Sequence, residues 1–278
     1  MERDRLGEGP LWSAREHAVY WVDIIGQRLN RLSLTDGVIA YWDLAEPIGW
    51  AIERQSGPGL VVGLQTGFHL LEFDQTPCRL TLLEELEVDL PMNRMNDAKA
   101  DRHGRIWAGT MPIDMSGPTG ALYRFDPDLS VTRVDNGYQI PNGPAISPEC
   151  TWLLQTDSTL RTIYRLAVHD DGSLGPRTDF IHFEPHWGHP DGMTFDRDGG
   201  LWVAHWGAGC VSRFDKRGRR ERWIDLPASQ ITSCTFAGIA LDRMFATSAA
   251  AGIDEEQGGA LFEVDPGCTG LPTCRFGG

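Results

Sequence analysis

Three short stretches of this chain carry more donors and acceptors than a turn needs. Arg94, Asn96 and Asp97 stand together in RMNDAKADRHGRIWAGTM, Asn142 opens PNGPAISPECTWLLQTD, and Asp191 opens PDGMTFDRDGGLWVAHW. Glu8, in LGEGPLW, is a fourth case. Carboxylate and amide oxygens that converge make a site for a hard cation. Buried carboxylates are costly without a partner, and a metal ion supplies one. Taken singly, each residue has a plainer explanation. Asn-Gly and Asp-Gly are common turn pairs, and Glu8 before Gly9-Pro10 suits an ordinary surface acid. Recurrence favours the cation, because turn chemistry does not require a polar residue at matching points of a repeating unit.

The repeating unit is visible as strand signals along the whole chain: AVYWVDI, LVVGLQTGFHLLEF, RIWAGTM, WLLQTDS, LWVAHW and RMFATSA. With Tyr20, Val61, Trp107, Leu153, Trp202 and Phe245 as equivalents, the intervals run from 41 to 49 residues. That is the period of four-stranded propeller blades. Each signal is followed by another strand ending in a polar turn, such as GALYRFDPD or GCVSRFDKRG, with period-2 alternation in ALYRFD. Long amphipathic helices are missing, while 32 glycines and 17 prolines supply turns. The expectation is an all-β, six-bladed β-propeller formed by residues 1–278 as a single domain. A β-sandwich needs no six similar units at even spacing. In a propeller the innermost strands line a channel. Reading the WAGT-like strands as innermost puts Glu8, Asn96, Asp97, Asn142 and Asp191 in the loops that enter them, at one mouth.

Composition excludes several functions. The formal net charge is −14, and the one basic run, KRGRRER from Lys216, is short and lies in a turn between strands. A nucleic-acid surface needs many cations on one face, so neither nucleic acid nor an anionic membrane is an expected partner. No apolar run approaches the roughly 20 residues that cross a bilayer. The charged opening MERDRLGEGPLW lacks the core of a secretion signal, so a cytoplasmic protein is expected. Six cysteines without a CxxC pair, including Cys268 and Cys274, read as free thiols. The sequence sets no oligomeric state.

The ordered set LGEGPLW, RMNDAKADRHGRIWAGTM, PNGPAISPE, PDGMTFDRDGGLWVA and TSCTFAG resembles the regucalcin/gluconolactonase (senescence marker protein) family over essentially the whole chain. The resemblance implies a six-bladed propeller that hydrolyses a sugar lactone with one divalent cation in its channel. By position, it implies Glu8, Asn142 and Asp191 as metal ligands and Asp191 as general acid/base. It also implies Asn96 as a substrate contact near the metal and Arg94 as a hydrogen-bond donor to the sugar. Ca²⁺ is the first expectation for the ion, with Zn²⁺, Mn²⁺, Mg²⁺ and Fe²⁺ also tolerated by oxygen ligands. Two features depart from the family pattern. Some members use a glutamate beyond the GTM turn, where this chain offers only Asp114, and the segment before Glu8 is shorter than usual.

Other chemistries fit less well. No GxSxG elbow marks a serine hydrolase. HFEPHWGHP brings His182, His186 and His189 close in sequence, inviting zinc, but its proline and glycine argue against a helix that would align the imidazoles. His189 and Trp187 are instead expected near the mouth, and Trp206 in packing. A related propeller hydrolase acting on phosphotriesters or acyl-homoserine-type lactones is a second enzyme class, although an acyl chain would want more aromatic lining than Arg94 and Asn96 offer. A non-catalytic calcium-binding or scaffold propeller is the third alternative, although a scaffold has no use for convergent carboxylates at one mouth.

Overall fold

The computed structural model describes residues 3–73 and 77–278, so Met1 and Glu2 of the charged opening lie outside the described residues. Among the described residues six antiparallel sheets follow one another, five of four strands and a last one of three. Their first strands are β1 (Gly7–Ser13), β5 (Ile48–Glu53), β9 (Asn93–Ala100), β13 (Pro141–Ile146), β17 (His189–Phe195) and β21 (Ile231–Ala237). Each packs against the first strand of the next blade, and β21 packs against β1, which closes a ring. The fold is the six-bladed β-propeller that the repeat predicts. No helix among the described residues is long and apolar enough to cross a membrane.

The strands that announce the repeat are not the innermost ones. They are the second strands, β2 (Ala18–Asp23), β6 (Leu60–Leu64), β10 (Ile106–Pro112), β14 (Trp152–Asp157), β18 (Leu201–Trp206) and β22 (Arg243–Ser248). Sandwiched within and between blades, they are largely buried on both faces, and Trp21, Trp107 and Trp202 are fully buried there. The segments expected as entering loops are themselves the channel-lining strands.

The reason they resemble turns is a bulge. In every blade the pairing between first and second strand slips near the start of the first strand: between Glu8 and Leu11, Ile48 and Trp50, Met95 and Ala98, Asn142 and Ala145, Pro190 and Met193, and Ile231 and Ser233. A bulge inserts an extra residue, bends the strand and re-aims its side chains. Glycine permits this for two separate reasons. Gly143 adopts a left-handed φ of +83°. Gly192 lies so close to the neighbouring blade that a Cβ would collide with the Ser233 side chain and come within 2.9 Å of its Cα.

At the opposite ends of the inner strands, the hairpins of the third and fifth blades are built on satisfied acids. Asp101 accepts from Arg105 Nε at 2.7 Å and Trp107 Nε1 at 2.9 Å, and Asp196 accepts from Trp202 Nε1 at 3.0 Å and Arg213 Nε at 2.6 Å. The terminal segments complete the ring. Asp4 N donates to Gly259 O and Ala250 N to Arg5 O, so the described N-terminal residues lie against the last blade, which has three strands among the described residues.

Candidate functional site

The ring of bulges is where the polar residues sit. Glu8 lies on β1, Asn96 and Asp97 on β9, Asn142 on β13 and Asp191 on β17, all buried. A hydrogen-bond chain ties three successive blades together. Arg94 Nη1 donates to Asn96 Oδ1 and to Met95 O, each at 2.8 Å. Asn96 Nδ2 donates to Asn142 Oδ1 and to Pro141 O, also at 2.8 Å. Asn142 Nδ2 donates to Ser158 Oγ at 2.9 Å, and Ser158 Oγ donates to Pro190 O at 2.6 Å, one residue before Asp191. Both asparagine amides are thereby fixed in orientation.

The carboxylates are not so provided for. Asp191 Oδ1 and Asp97 Oδ2 are buried with no hydrogen-bond partner. Glu8 accepts at 3.2 Å from the adjacent Gly9 N, and Asp97 Oδ1 accepts from Ala98 N at 2.7 Å. Burial, then the Asp97 charge, pushes the Glu8 carboxyl up to about 8. Burial, followed by the Glu8 and Asp97 charges, holds Asp191 well above the usual carboxylate range. Asp97 is raised by burial and lowered by Lys99 and by backbone N–H groups. The Arg94 guanidinium is lowered by burial to about 10, opposed by Glu8 and Asp191. Three acids therefore share one desolvated space with one arginine at its edge. Mutual repulsion of this kind is relieved either by protons or by a cation.

The donor set fits a hard cation on these grounds: orphaned carboxylate oxygens, an amide oxygen with a second lone pair, and charge in excess of its partners. Among the described residues no group of three His, Cys, Asp or Glu side chains is placed to hold a metal ion by itself.

The three clustered histidines go to separate partners. His182 contacts Thr162 Oγ1 and Asp179 on an outer strand, His186 packs against Trp187, and His189 contacts Ser158 O at 2.8 Å and Arg161. His189 thus braces the serine that links Asn142 to Pro190. Trp187 is half-buried against the core of its blade, and Trp206 ends β18, bridged to Gln230. Asp114 is exposed and accepts from Ser116 N in its own turn. Asp97 is expected from the sequence among the converging polar residues but without a ligand or substrate role, and Ser158 is not expected there at all. Strand alternation puts Asp97 on the face opposite Asn96, and only the bulge brings both inward. Ser158 follows a second strand and carries no motif.

Comparison with known proteins agrees with this architecture. Residues 6–250 match the SMP-30/Gluconolactonase/LRE-like region. A pentonolactonase of Haloferax volcanii is 34% identical over 285 aligned residues, covering 98% of this chain and 94% of its own length. Regucalcin of Gallus gallus is 32% identical over 294 aligned residues, covering 100% of this chain and 96% of its own. Among solved structures, a calcium-binding protein, regucalcin, of Agrobacterium tumefaciens superposes with a TM-score of 0.93 at 27% identity, covering 99% of this chain and 95% of that one. A closed ring of six blades, a polar bulge on its inner strands and similarity along nearly its whole length place this chain in the SMP-30/gluconolactonase family.

Proposed function

We propose that the protein hydrolyses a sugar lactone, an aldonolactone, to the corresponding aldonic acid, with a divalent cation held by Glu8, Asn142 and Asp191. One observation carries the proposal: Asp191 Oδ1 is buried, unpartnered and surrounded by other acids, next to a fixed amide network. A cation bound by those oxygens supplies Lewis-acid polarisation of the lactone carbonyl. The chain supplies the rest. Asp191 takes a proton from the attacking water and returns it to the departing ring oxygen. Arg94, held by Met95 O and Asn96 Oδ1, directs its remaining N–H groups at the sugar's hydroxyls, and Asn96 contacts substrate beside it. Loss of the lactone ring creates a carboxylate, and the chain's negative net charge favours its departure.

The pentonolactonase among the relatives supports a lactone substrate, and the calcium-binding neighbour supports Ca²⁺ as the first ion to try. The six unpaired thiols suit a reducing, cytoplasmic setting. The test is a panel of aldonolactones assayed by acid release, using metal-stripped protein reloaded with one cation at a time. Acid release that needs both a cation and an aldonolactone is the expected result. Cation uptake without turnover of any lactone would replace this reading with a non-catalytic calcium-binding propeller.

A further inference from the structure

The channel does not end at the acid cluster. Beyond it lies a chamber of about 350 Å³, walled by the far ends of the inner strands. That volume falls within the range of small-molecule sites. Its walls are largely apolar, with Ile52, Ile146, Phe195 and Phe236 among them, and Thr194 and Thr235 offer hydroxyls. Exposed Arg102, Pro148 and Pro272 mark its opening on the face opposite the acid cluster.

A C-terminal strap crosses this opening. One end is pinned where Arg197 N donates to Thr269 O and Gly270 N to Leu241 O, on the fifth and sixth blades. The other is pinned on the second and third, where Phe276 N donates to Glu53 O and Gly277 N to Gly104 O. Between the anchors, Leu271 and Thr273 line the chamber.

Lys99 also lines the chamber, half-buried on β9, two residues beyond Asp97. Its ammonium group makes no hydrogen bond or ion pair among the described residues, although Glu8 and Asp97 lie within reach of its field. The one carboxylate on the wall, Asp101, is consumed by Arg105, Trp107 and backbone N–H groups. Arg102 stands exposed at the opening, so Lys99 is the cation set against the apolar wall, and a cation so placed selects a compact anion with an apolar body.

We propose that the chamber beneath the strap is a second ligand site, which takes a small aliphatic carboxylate with its charge on Lys99 and its chain against the apolar wall. Binding does not depend on the lactonase reading.

The test is calorimetric titration of the full chain with pentanoate and, as neutral comparison, pentanamide. Pentanoate should bind once per chain and at least about tenfold tighter than the amide, the value of one charge-assisted hydrogen bond. Lys99→Met should erase that preference, Lys99→Arg should keep it, and Thr273→Trp, which fills the chamber from the strap, should block binding. Arg94→Met, at the other mouth, should leave it unchanged. Absence of saturable pentanoate binding, or binding that survives both Lys99→Met and Thr273→Trp, overturns the proposal. Binding lost in Arg94→Met alone overturns it too, by placing the anion at the acid cluster. Turnover of lactones with no pentanoate site, or a pentanoate site without turnover, would separate this inference from the proposed function.

Discussion

Asp191 and Asp196 stand five residues apart along one inner segment, and both are buried, at 4% and 1% exposure. Their surroundings are opposite. Asp196 accepts from Trp202 Nε1, Arg213 Nε and the backbone N–H groups of Asp198 and Gly200, and these bonds hold its carboxyl below the usual range despite burial. Asp191 has a bare Oδ1 and acids for neighbours, and its carboxyl is raised. Asp196, like Asp101 two blades earlier, clamps its hairpin as a buried and satisfied acid, while the acids of the bulge ring lack such partners. A group left unsatisfied by the fold is available to something that is not part of the fold.

The comparison can be broken from either side. Asp196→Asn should produce the largest loss of stability, about 2–4 kcal/mol, because it removes the buried carboxylate that accepts from Trp202, Arg213 and two backbone N–H groups and leaves Arg213 with Glu221 as its remaining ion-pair partner. Turnover per folded molecule should persist, as denaturant titration alongside an activity assay would establish. The deficit should also depend on pH. Asp196 has a folded-state pKa below its unfolded value, so its stabilisation is full above about pH 3.9 and fades as pH falls through the folded pKa. Wild type and variant should therefore converge in strong acid.

Asp191→Asn should behave in reverse. Turnover should fall at least about 100-fold, while the melting temperature in chelator holds or rises, since a buried charge without a partner is removed. Near-normal turnover in that variant, with the cation still bound, would take Asp191 out of the base role.

Gly192→Ala tests whether the bulge itself aims Asp191. The new methyl group meets Ser233 of the next blade, so overpacking should cost about 1–3 kcal/mol. It should also lower kcat, because the adjacent carboxylate is displaced. Loss of stability with unchanged kcat would show that the aim comes from elsewhere. Asp114→Ala should give the smallest effect, within about 0.5 kcal/mol of wild type, with steady-state kinetics unaltered, because Asp114 is exposed and serves only its own turn.

How much of this could be read from the residues follows from local periodicity. The second strands are apolar, Trp-rich and evenly spaced, so the number of blades was legible from Tyr20, Trp107 and Trp202. The first strands were not, because a bulge breaks period-2 alternation and a polar-Gly pair such as Asn142-Gly143 looks like a turn. The family resemblance pointed to Glu8, Asn142 and Asp191 without revealing that they lie on strands. Asp97 was visible beside Asn96, yet its inward direction depends on the same bulge. The strap over the chamber had no local signal at all. GCTGLPTCRFGG lacks periodicity, and its partners at Glu53 and Gly104 are more than 150 residues away in sequence. Lys99 is an ordinary strand lysine until the ring closes around it.

The central claim is that the acids of the bulge ring exist to hold a cation for lactone hydrolysis. Calorimetric titration of chelator-stripped protein with Ca²⁺, run beside an aldonolactone assay on the same samples, tests it most directly. One cation per chain, hydrolysis returning in step with its uptake, and loss of uptake in Asp191→Asn and Glu8→Gln are the predicted results. Stripped protein that takes up no divalent ion and still hydrolyses the lactone at its full rate would contradict the account.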